Sequence, residues 1–135
     1  MSLRSIFYGL AFTATVSHAG LARADDTQSA CFATHTPVRA LPYTINRWAG
    51  QGSYEVLAGA RVFFWAEPGL TKEWLHYQLA RRVAERHATN SCPLDVSGVK
   101  IAVVSSGPGF WLEISAPDTS DARRVLSRAQ ALIPQ

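Results

Sequence analysis

The chain has 135 residues, of which 47% are hydrophobic and 17% charged, a composition that excludes a disordered or fibrous protein and fits one globular domain. The formal charge of +3 at pH 7 favours a nucleic-acid or membrane-surface binder until Arg4 and Arg23 are assigned to a removable leader, which leaves about +1. Nucleic acid is therefore excluded as an expected partner.

Residues 1–24 are predicted to be a secretory signal peptide. Arg4 precedes an apolar stretch at residues 6–16, and the small residues of Ala22-Arg23-Ala24 stand before Asp25, as a signal peptidase requires. The apolar stretch is far shorter than the roughly 20 residues that a membrane-spanning helix needs. We therefore expect a periplasmic or secreted protein that begins at Asp25 and has no transmembrane segment after cleavage.

Residues 25–53 are predicted to form an irregular N-terminal arm, because prolines and glycines interrupt every hydrophobic period. The interruptions are Thr36-Pro37, Leu41-Pro42 and Gly50-Gln51-Gly52. The rest of the chain, residues 54–135, is predicted to form one α+β domain.

Cys31 in the arm is predicted to form a disulfide with Cys92, because two cysteines in an exported chain are usually oxidised. Closing a loop of about 60 residues would stabilise the fold by about 4 kcal/mol. In the alternative, both thiols stay reduced and act as redox or metal-binding groups. The two hypotheses exclude each other.

The predicted domain begins with a strand and a helix. In the strand, residues 60–67, the two sides are Val62, Phe64 and Ala66 against Arg61, Phe63 and Trp65. The helix has Thr71 as its N-cap and Glu73 in its first turn, and it ends near Ala88. Its apolar face consists of Leu75, Leu79, Ala80, Val83 and Ala84, and its solvent face of Gln78, Arg81, Arg82 and Glu85.

Two further strands and a second helix complete the domain. Residues 99–104 and 110–114 alternate as strands, and residues 105–109 between them have the composition of a hairpin turn. Asp118 or Ser120 caps the last helix, whose core side chains are Ala122, Val125, Leu126, Ala129 and Ile133. The β-α-β-β-α order predicts a ferredoxin-like two-layer α+β sandwich that lacks its final strand unless the arm supplies an edge.

The sheet face away from the helices is the predicted binding surface. The expected binding residues are Arg61, Phe63, Trp65, Lys100 and Trp111, with Glu113 beside them. Two tryptophans and a phenylalanine exposed together are typical of an interaction surface. In the alternatives, the arm covers this face through Tyr43 and Trp48, or two copies of the chain bury it in a homodimer.

The histidines suggest a different function, that of a redox protein that binds a metal ion or haem. His76 and His87 are predicted to project from the middle of the first helix's apolar face, and His35 lies four residues from Cys31. A structural role for each is the competing interpretation, because eleven residues of helix separate His76 and His87 by about 16 Å, too far for one metal. No zinc, calcium or nucleophile motif is present, and no acids are paired for catalysis.

Several short segments between residues 59 and 132 carry a resemblance. They are Gly59-Ala60-Arg61-Val62, Pro68-Gly69-Leu70-Thr71, Glu73-Trp74-Leu75, Leu79-Ala80-Arg81, His87, Cys92-Pro93-Leu94, Gly109-Phe110 and Arg128-Ala129. In these segments the chain resembles small secreted proteins of Gram-negative bacteria, a group with no established function. The resemblance implies export and a single fold, and it identifies no chemistry.

These observations together predict a non-enzymatic binding or accessory module of the periplasm or the extracellular medium. We expect no cofactor, no catalytic residues, and a protein or small ligand of the cell envelope as the partner. The competing hypothesis is the metal or haem protein that uses His35, His76 and His87 with the two cysteines.

Overall fold

The computed structural model describes residues 31–85 and 89–135, which form a four-stranded antiparallel sheet and two α-helices. The strands are β1 Arg39–Ala49, β2 Gly52–Trp65, β3 Lys100–Ser106 and β4 Gly109–Ser115, and the sheet order is β1-β2-β4-β3. The helices are α1 Lys72–Ala84 and α2 Thr119–Ala131, with a short 3-10 helix at Pro93–Asp95. The predicted α+β class is confirmed. The predicted signal peptide, residues 1–24, lies outside the described residues.

The prediction of an irregular arm is wrong for residues 39–49, which form β1, and for Gly52 and Ser53, which begin β2. The predicted strand at residues 60–67 therefore begins eight residues earlier and ends at Trp65. β1 pairs with β2 along its whole length through a tight turn in which Gly50 has φ of 61°. Pro42 is compatible with a strand here because β1 lies at the edge of the sheet, where a missing N–H need not break a ladder of hydrogen bonds. The element order is therefore β-β-α-β-β-α, and the predicted ferredoxin-like order is not confirmed.

The predicted caps of both helices and the second hairpin are confirmed. The predicted helix end near Ala88 is not, since α1 ends at Ala84, and the predicted core residue Ile133 lies beyond α2, where Leu132 is buried instead. The backbone N–H of Trp74 donates to Thr71 Oγ1 over 3.1 Å, so Thr71 caps α1. Asp118 caps α2 by accepting the N–H of Asp121 over 2.8 Å. β3 and β4 are joined by Gly107-Pro108, where Gly107 has φ of 41°.

The hydrophobic core lies between one face of the sheet and both helices. β2 and β4 contribute Val62, Phe64, Leu112 and Ile114, and the helices contribute Leu75, Leu79, Val125 and Ala129, all fully buried. The predicted disulfide between Cys31 and Cys92 is present, with both residues buried. It fixes Phe32 beneath the sheet, where the Phe32 ring meets the edge of Phe64 at a centroid distance of 5.3 Å. Within the described residues, neither helix has the length and apolarity to cross a bilayer.

Candidate functional site

The open face of the sheet is the side on which neither described helix, α1 or α2, packs. Cross-strand partners share a face, so the register assigns to it the side chains that alternate with the core residues. They are Arg39, Leu41 and Tyr43 of β1, Arg61, Phe63 and Trp65 of β2, Trp111, Glu113 and Ser115 of β4, and Lys100, Ala102 and Val104 of β3. The predicted alternation of Arg61, Phe63 and Trp65 against Val62 and Phe64 is thus confirmed.

Three aromatic side chains form a cluster at one end of the open face. The Phe63 ring lies 5.0 Å from the Trp65 ring, edge to face, and 5.1 Å from the Trp111 ring, centroid to centroid. The prediction that all three are exposed is wrong for Phe63, which is buried between the two tryptophans; Trp111 is half-buried, and Trp65 stays 55% exposed. Because each ring packs against another, the cluster has a fixed shape before any partner arrives.

Gly109 makes room for this aromatic cluster. A Cβ atom at Gly109 would lie 2.8 Å from Cζ of Phe63 and 2.1 Å from the carbonyl oxygen of Phe64. Both distances are shorter than van der Waals contact, so any side chain here would displace the Phe63 ring or the strand. The lack of a side chain at this position therefore allows the Phe63 ring its close approach to β4.

Arg61 joins the aromatic cluster to the middle of the sheet. Its guanidinium carbon lies 5.1 Å from the centroid of the Trp111 ring, within cation–π range. Its Nη2 lies 3.4 Å from Oε1 of Glu113, the residue directly opposite on β4. The cluster therefore presents rings flanked by a partly neutralised cation.

A depression of about 470 Å³ lies over the aromatic cluster. It is lined by Val38, Arg39, Phe63, Trp65, Ser106, Pro108 and Trp111. Its size falls in the range of small-ligand sites, and its floor is aromatic. Val38 and Arg39 are not among the predicted site residues, because the sequence pattern predicts an irregular arm there. The alternation of Arg39, Leu41 and Tyr43 was the sequence signal that could have placed them.

Lys100 lies on the same face as predicted but does not join the cluster. It lies opposite Ser115, whereas Trp111 lies opposite Val104, four residues further along β3. At about 3.3 Å per residue the two positions are roughly 13 Å apart along the strand. The structure thus brings together Arg61, Phe63, Trp65 and Trp111 and places Lys100 at the other end of the face.

Residues 39–49 of the predicted arm do not cover the open face. Residues 39–49 lie beside β2 as an edge strand, so they extend the sheet instead of crossing it. Tyr43 lies opposite Gly59, four residues from Phe63 on β2. Trp48 is 82% exposed near the hairpin turn. The hypothesis that Tyr43 and Trp48 cover the aromatic cluster is therefore wrong.

The prediction that His76 lies within the apolar face of α1 is wrong, since this side chain is exposed. The face is rotated because two polar residues assigned to solvent point inward to distant partners. Gln78 Oε1 lies 2.8 Å from Nε2 of His35, and Arg82 donates to Oδ2 of Asp95 over 3.1 Å. The buried side of α1 is therefore centred nearer Leu75 than the apolar pattern alone indicates.

The residues of the metal or haem hypothesis do not come together in the described part of the chain. Cys31 and Cys92 are bonded to each other, so neither is a thiolate ligand. His35 is buried, with its Nδ1 3.6 Å from Oε2 of Glu67. No three His, Cys, Asp or Glu residues among those described are grouped as a metal site. His87 lies outside the described residues.

The arrangement of the open face is suited to binding. It offers apolar rings, a cation over one of them and a shallow concavity, which are groups that recognise a surface or a ligand. Among the described residues, the aromatic cluster and the side chains that line the depression over it include no nucleophile paired with a base. Comparison with protein-family models, with curated proteins and with solved structures finds no match to this chain.

Proposed function

We propose that this chain is an exported, disulfide-stabilised binding module of the periplasm or the extracellular medium. It catalyses no reaction, and it contacts a protein partner of the cell envelope through the aromatic cluster of the open face. The observation that carries this proposal is the exposure of Trp65 beside Phe63 and Trp111 on a face without helices. The predicted leader, the disulfide and the resemblance to small secreted proteins support export.

The physical argument for a protein partner rests on the kind of side chain exposed. Tryptophan and arginine are the residues that most often dominate the binding energy of protein interfaces. Here Arg61 and Trp111 are already in contact, and Trp65 is held by the edge of Phe63. Little rotamer entropy remains to be lost on binding, so the apolar area of these rings contributes directly to affinity.

The four tryptophans provide a direct test, because they occupy different surfaces. Trp65 and Trp111 belong to the aromatic cluster, whereas Trp48 lies near the β1-β2 turn and Trp74 on α1. The disulfide-bonded chain would be labelled with 5-fluorotryptophan and its fluorine spectrum recorded with and without the envelope fraction of the producing cell. We expect the signals of Trp65 and Trp111 to broaden and shift, and those of Trp48 and Trp74 to keep their positions.

A matched pair of variants identifies the surface responsible. Trp65 and Trp74 are 55% and 52% exposed, so Trp65→Ala and Trp74→Ala remove similar exposed rings. Co-elution of the chain with the envelope component in gel filtration should be lost for Trp65→Ala and kept for Trp74→Ala. The opposite result would assign binding to α1 and its stacked Trp74-Tyr77 pair and would refute the proposal.

A further inference from the structure

A second concave region, the ribbon cleft, lies at the other end of the open face and encloses about 540 Å³. It is lined by Tyr43, Ile45, Arg47, Val56, Leu57, Ala58, Gly98, Lys100, Ser115, Ala116, Pro117, Asp118 and Thr119. None of these residues belongs to the aromatic cluster. The ribbon cleft is therefore a separate candidate site, and its occupancy does not depend on the function proposed above.

The ribbon cleft exists because the β1-β2 hairpin is longer than the rest of the sheet. β4 pairs with β2 only from Gly59 to Trp65, so residues 44–57 continue as a two-stranded ribbon beyond it. The register of β1 and β2 shifts between Tyr43 and Thr44. Such an irregularity bends a ribbon and increases its twist. The ribbon forms one wall of the cleft, and the connection from β4 to α2 forms the other.

Alternation along the ribbon decides which side chains enter this cleft. Tyr43, Ile45 and Arg47 share one side of β1, and Val56 lies directly opposite Ile45 on β2. Ile45 and Val56 are half-buried, so they provide an apolar wall that stays accessible. A ligand that lies against this wall needs an apolar body.

The charges that line the cleft are predominantly positive. Arg47 and Lys100 are both exposed, and neither forms an ion pair within the described chain. Asp118 is the one acid among the described lining residues, and its Oδ1 already accepts the N–H of Asp121. Arg47 and Lys100 have no ion-pair partner among the described residues, and the Asp118 carboxylate already accepts a backbone N–H. The cleft therefore favours an anionic ligand.

We propose that the ribbon cleft binds a small organic carboxylate with an apolar body. The carboxylate pairs with Arg47, because the planar guanidinium presents two parallel N–H donors to two carboxylate oxygens, and Lys100 adds a positive charge to the same cleft. The apolar body lies against Ile45, Val56 and Pro117. The cleft volume is within the range of small-molecule sites and leaves room for a ligand of this kind.

The test is a titration of the disulfide-bonded, ¹⁵N-labelled chain with 4-phenylbutyrate, followed by the amide shifts in NMR spectra. The neutral 4-phenylbutyramide, which has the same apolar body, is titrated in parallel. We expect 4-phenylbutyrate to shift the backbone amides of residues 45–47, 56–58, 115–116 and 118–119, and we expect 4-phenylbutyramide to bind at least fivefold more weakly. This ratio corresponds to about 1 kcal/mol, typical of a partly exposed ion pair.

Variants of the two cations separate this site from general charge attraction. Arg47→Gln should raise the Kd for 4-phenylbutyrate about fivefold, the value expected for one partly exposed charge pair, and Lys100→Gln should raise it by a smaller factor. Arg123→Gln makes the same charge change at an exposed position of α2 outside the cleft and should leave the Kd unchanged. All three residues are exposed, so the variants should keep the spectrum of the folded chain.

Three results would each overturn the proposal. They are equal affinity for 4-phenylbutyrate and its amide, an effect of Arg123→Gln as large as that of Arg47→Gln, and shifts confined to the aromatic cluster. The last result would place the anion beside Arg39 in the depression over Trp65 and Trp111. The tryptophan experiment described above is unaffected by all of these results, so the two proposals succeed or fail separately.

Discussion

The two faces of the sheet are made from alternate residues of the same strands, yet one is closed and the other is not. Phe64 and Trp65 are neighbours on β2, but Phe64 is 1% exposed beneath the helices and Trp65 is 55% exposed on the open face. Alternation alone distributes them in this way. The difference indicates that stability resides mainly on the helix-covered face, whereas Trp65 on the open face stays accessible within the described structure.

The largest effect is expected when substitutions at two adjacent residues of β2, one on each face of the sheet, are compared. Phe64→Ala should lower the free energy of unfolding by about 3–5 kcal/mol, because it leaves a cavity in a closed core. Trp65→Ala should lower it by about 1 kcal/mol, since mainly the contact with Phe63 is lost. Urea unfolding of both variants, followed by far-UV circular dichroism with the disulfide intact, measures the difference.

Equal losses for the two variants would contradict the comparison. They would mean that the ring of Trp65 is buried in solution, either by the chain or by a second copy in a homodimer. Repeating the unfolding of Trp65→Ala at two protein concentrations distinguishes these cases, because only a dimer makes the stability depend on concentration.

The second effect tests what holds the covered face. Replacing both Cys31 and Cys92 by Ser should lower the free energy of unfolding by about 4 kcal/mol in the chain-entropy model. The two cysteines are 61 residues apart in sequence, and the bridge holds Phe32 against Phe64 on the covered face. Where the variant still folds at low temperature, the fluorine signals of Trp65 and Trp111 should match those of the parent chain.

If those two signals change while the chain stays folded, the structure of the open face depends on the covered face, which would contradict the comparison. Such a change would show that the segment held by Cys31 positions the aromatic cluster as well as the core. Guanidinium unfolding curves of the oxidised parent and the double Ser variant measure the difference in the free energy of unfolding. The fluorine spectra show whether the surroundings of Trp65 and Trp111 have changed.

Most of the difference between the two faces of the sheet can be predicted from the sequence, because it depends on local patterns. The alternation of Arg61, Phe63 and Trp65, the caps Thr71 and Asp118, and the second hairpin all depend on residues within a few positions of one another. β1 is not predicted by the local pattern, because Pro42 and the glycines near the turn interrupt it. Prolines are nevertheless compatible with an edge strand, and glycines with a tight turn.

What sequence reasoning could not predict depends on distant partners. The inward rotation of α1 follows from Gln78 with His35, 43 residues away, and from Arg82 with Asp95, 13 residues away. A helical pattern shows which residues are apolar, but it cannot show which polar residues have a buried partner. The ribbon cleft was not foreseen for a related reason, because it requires β1 to pair with β2 beyond the end of β4.

A third and smaller effect concerns the packing of the Phe63 ring against Gly109 on the open face. Gly109→Ala should lower the free energy of unfolding by about 1–3 kcal/mol, because the added methyl overlaps the Phe63 ring and the Phe64 carbonyl. The fluorine signals of Trp65 and Trp111, the neighbours of Phe63, should shift. Gly52→Ala is the control, since a Cβ there meets no atom within 4 Å. Unchanged signals in Gly109→Ala would show that the Phe63 ring does not lie over this position.

The smallest effect concerns the contact of Arg61 with the aromatic cluster. Arg61→Gln removes the cation over Trp111 and the ion pair with Glu113. Both contacts are partly exposed, so we expect a loss of about 1 kcal/mol. Arg81→Gln on α1 is matched, because Arg81 also lies 3.4 Å from a carboxylate, that of Glu85, but it is outside the aromatic cluster.

The difference between these two arginine variants isolates the contribution of the ring. A loss near 0.5 kcal/mol is typical of an i,i+4 ion pair on a helix, so Arg81→Gln should stay near that value. The fluorine signal of Trp111 should move in Arg61→Gln and stay in Arg81→Gln. If both variants lose the same free energy and leave Trp111 unchanged, then Arg61 is merely a surface ion pair. In that case the rings of Trp65 and Trp111 alone define the recognition properties of the open face.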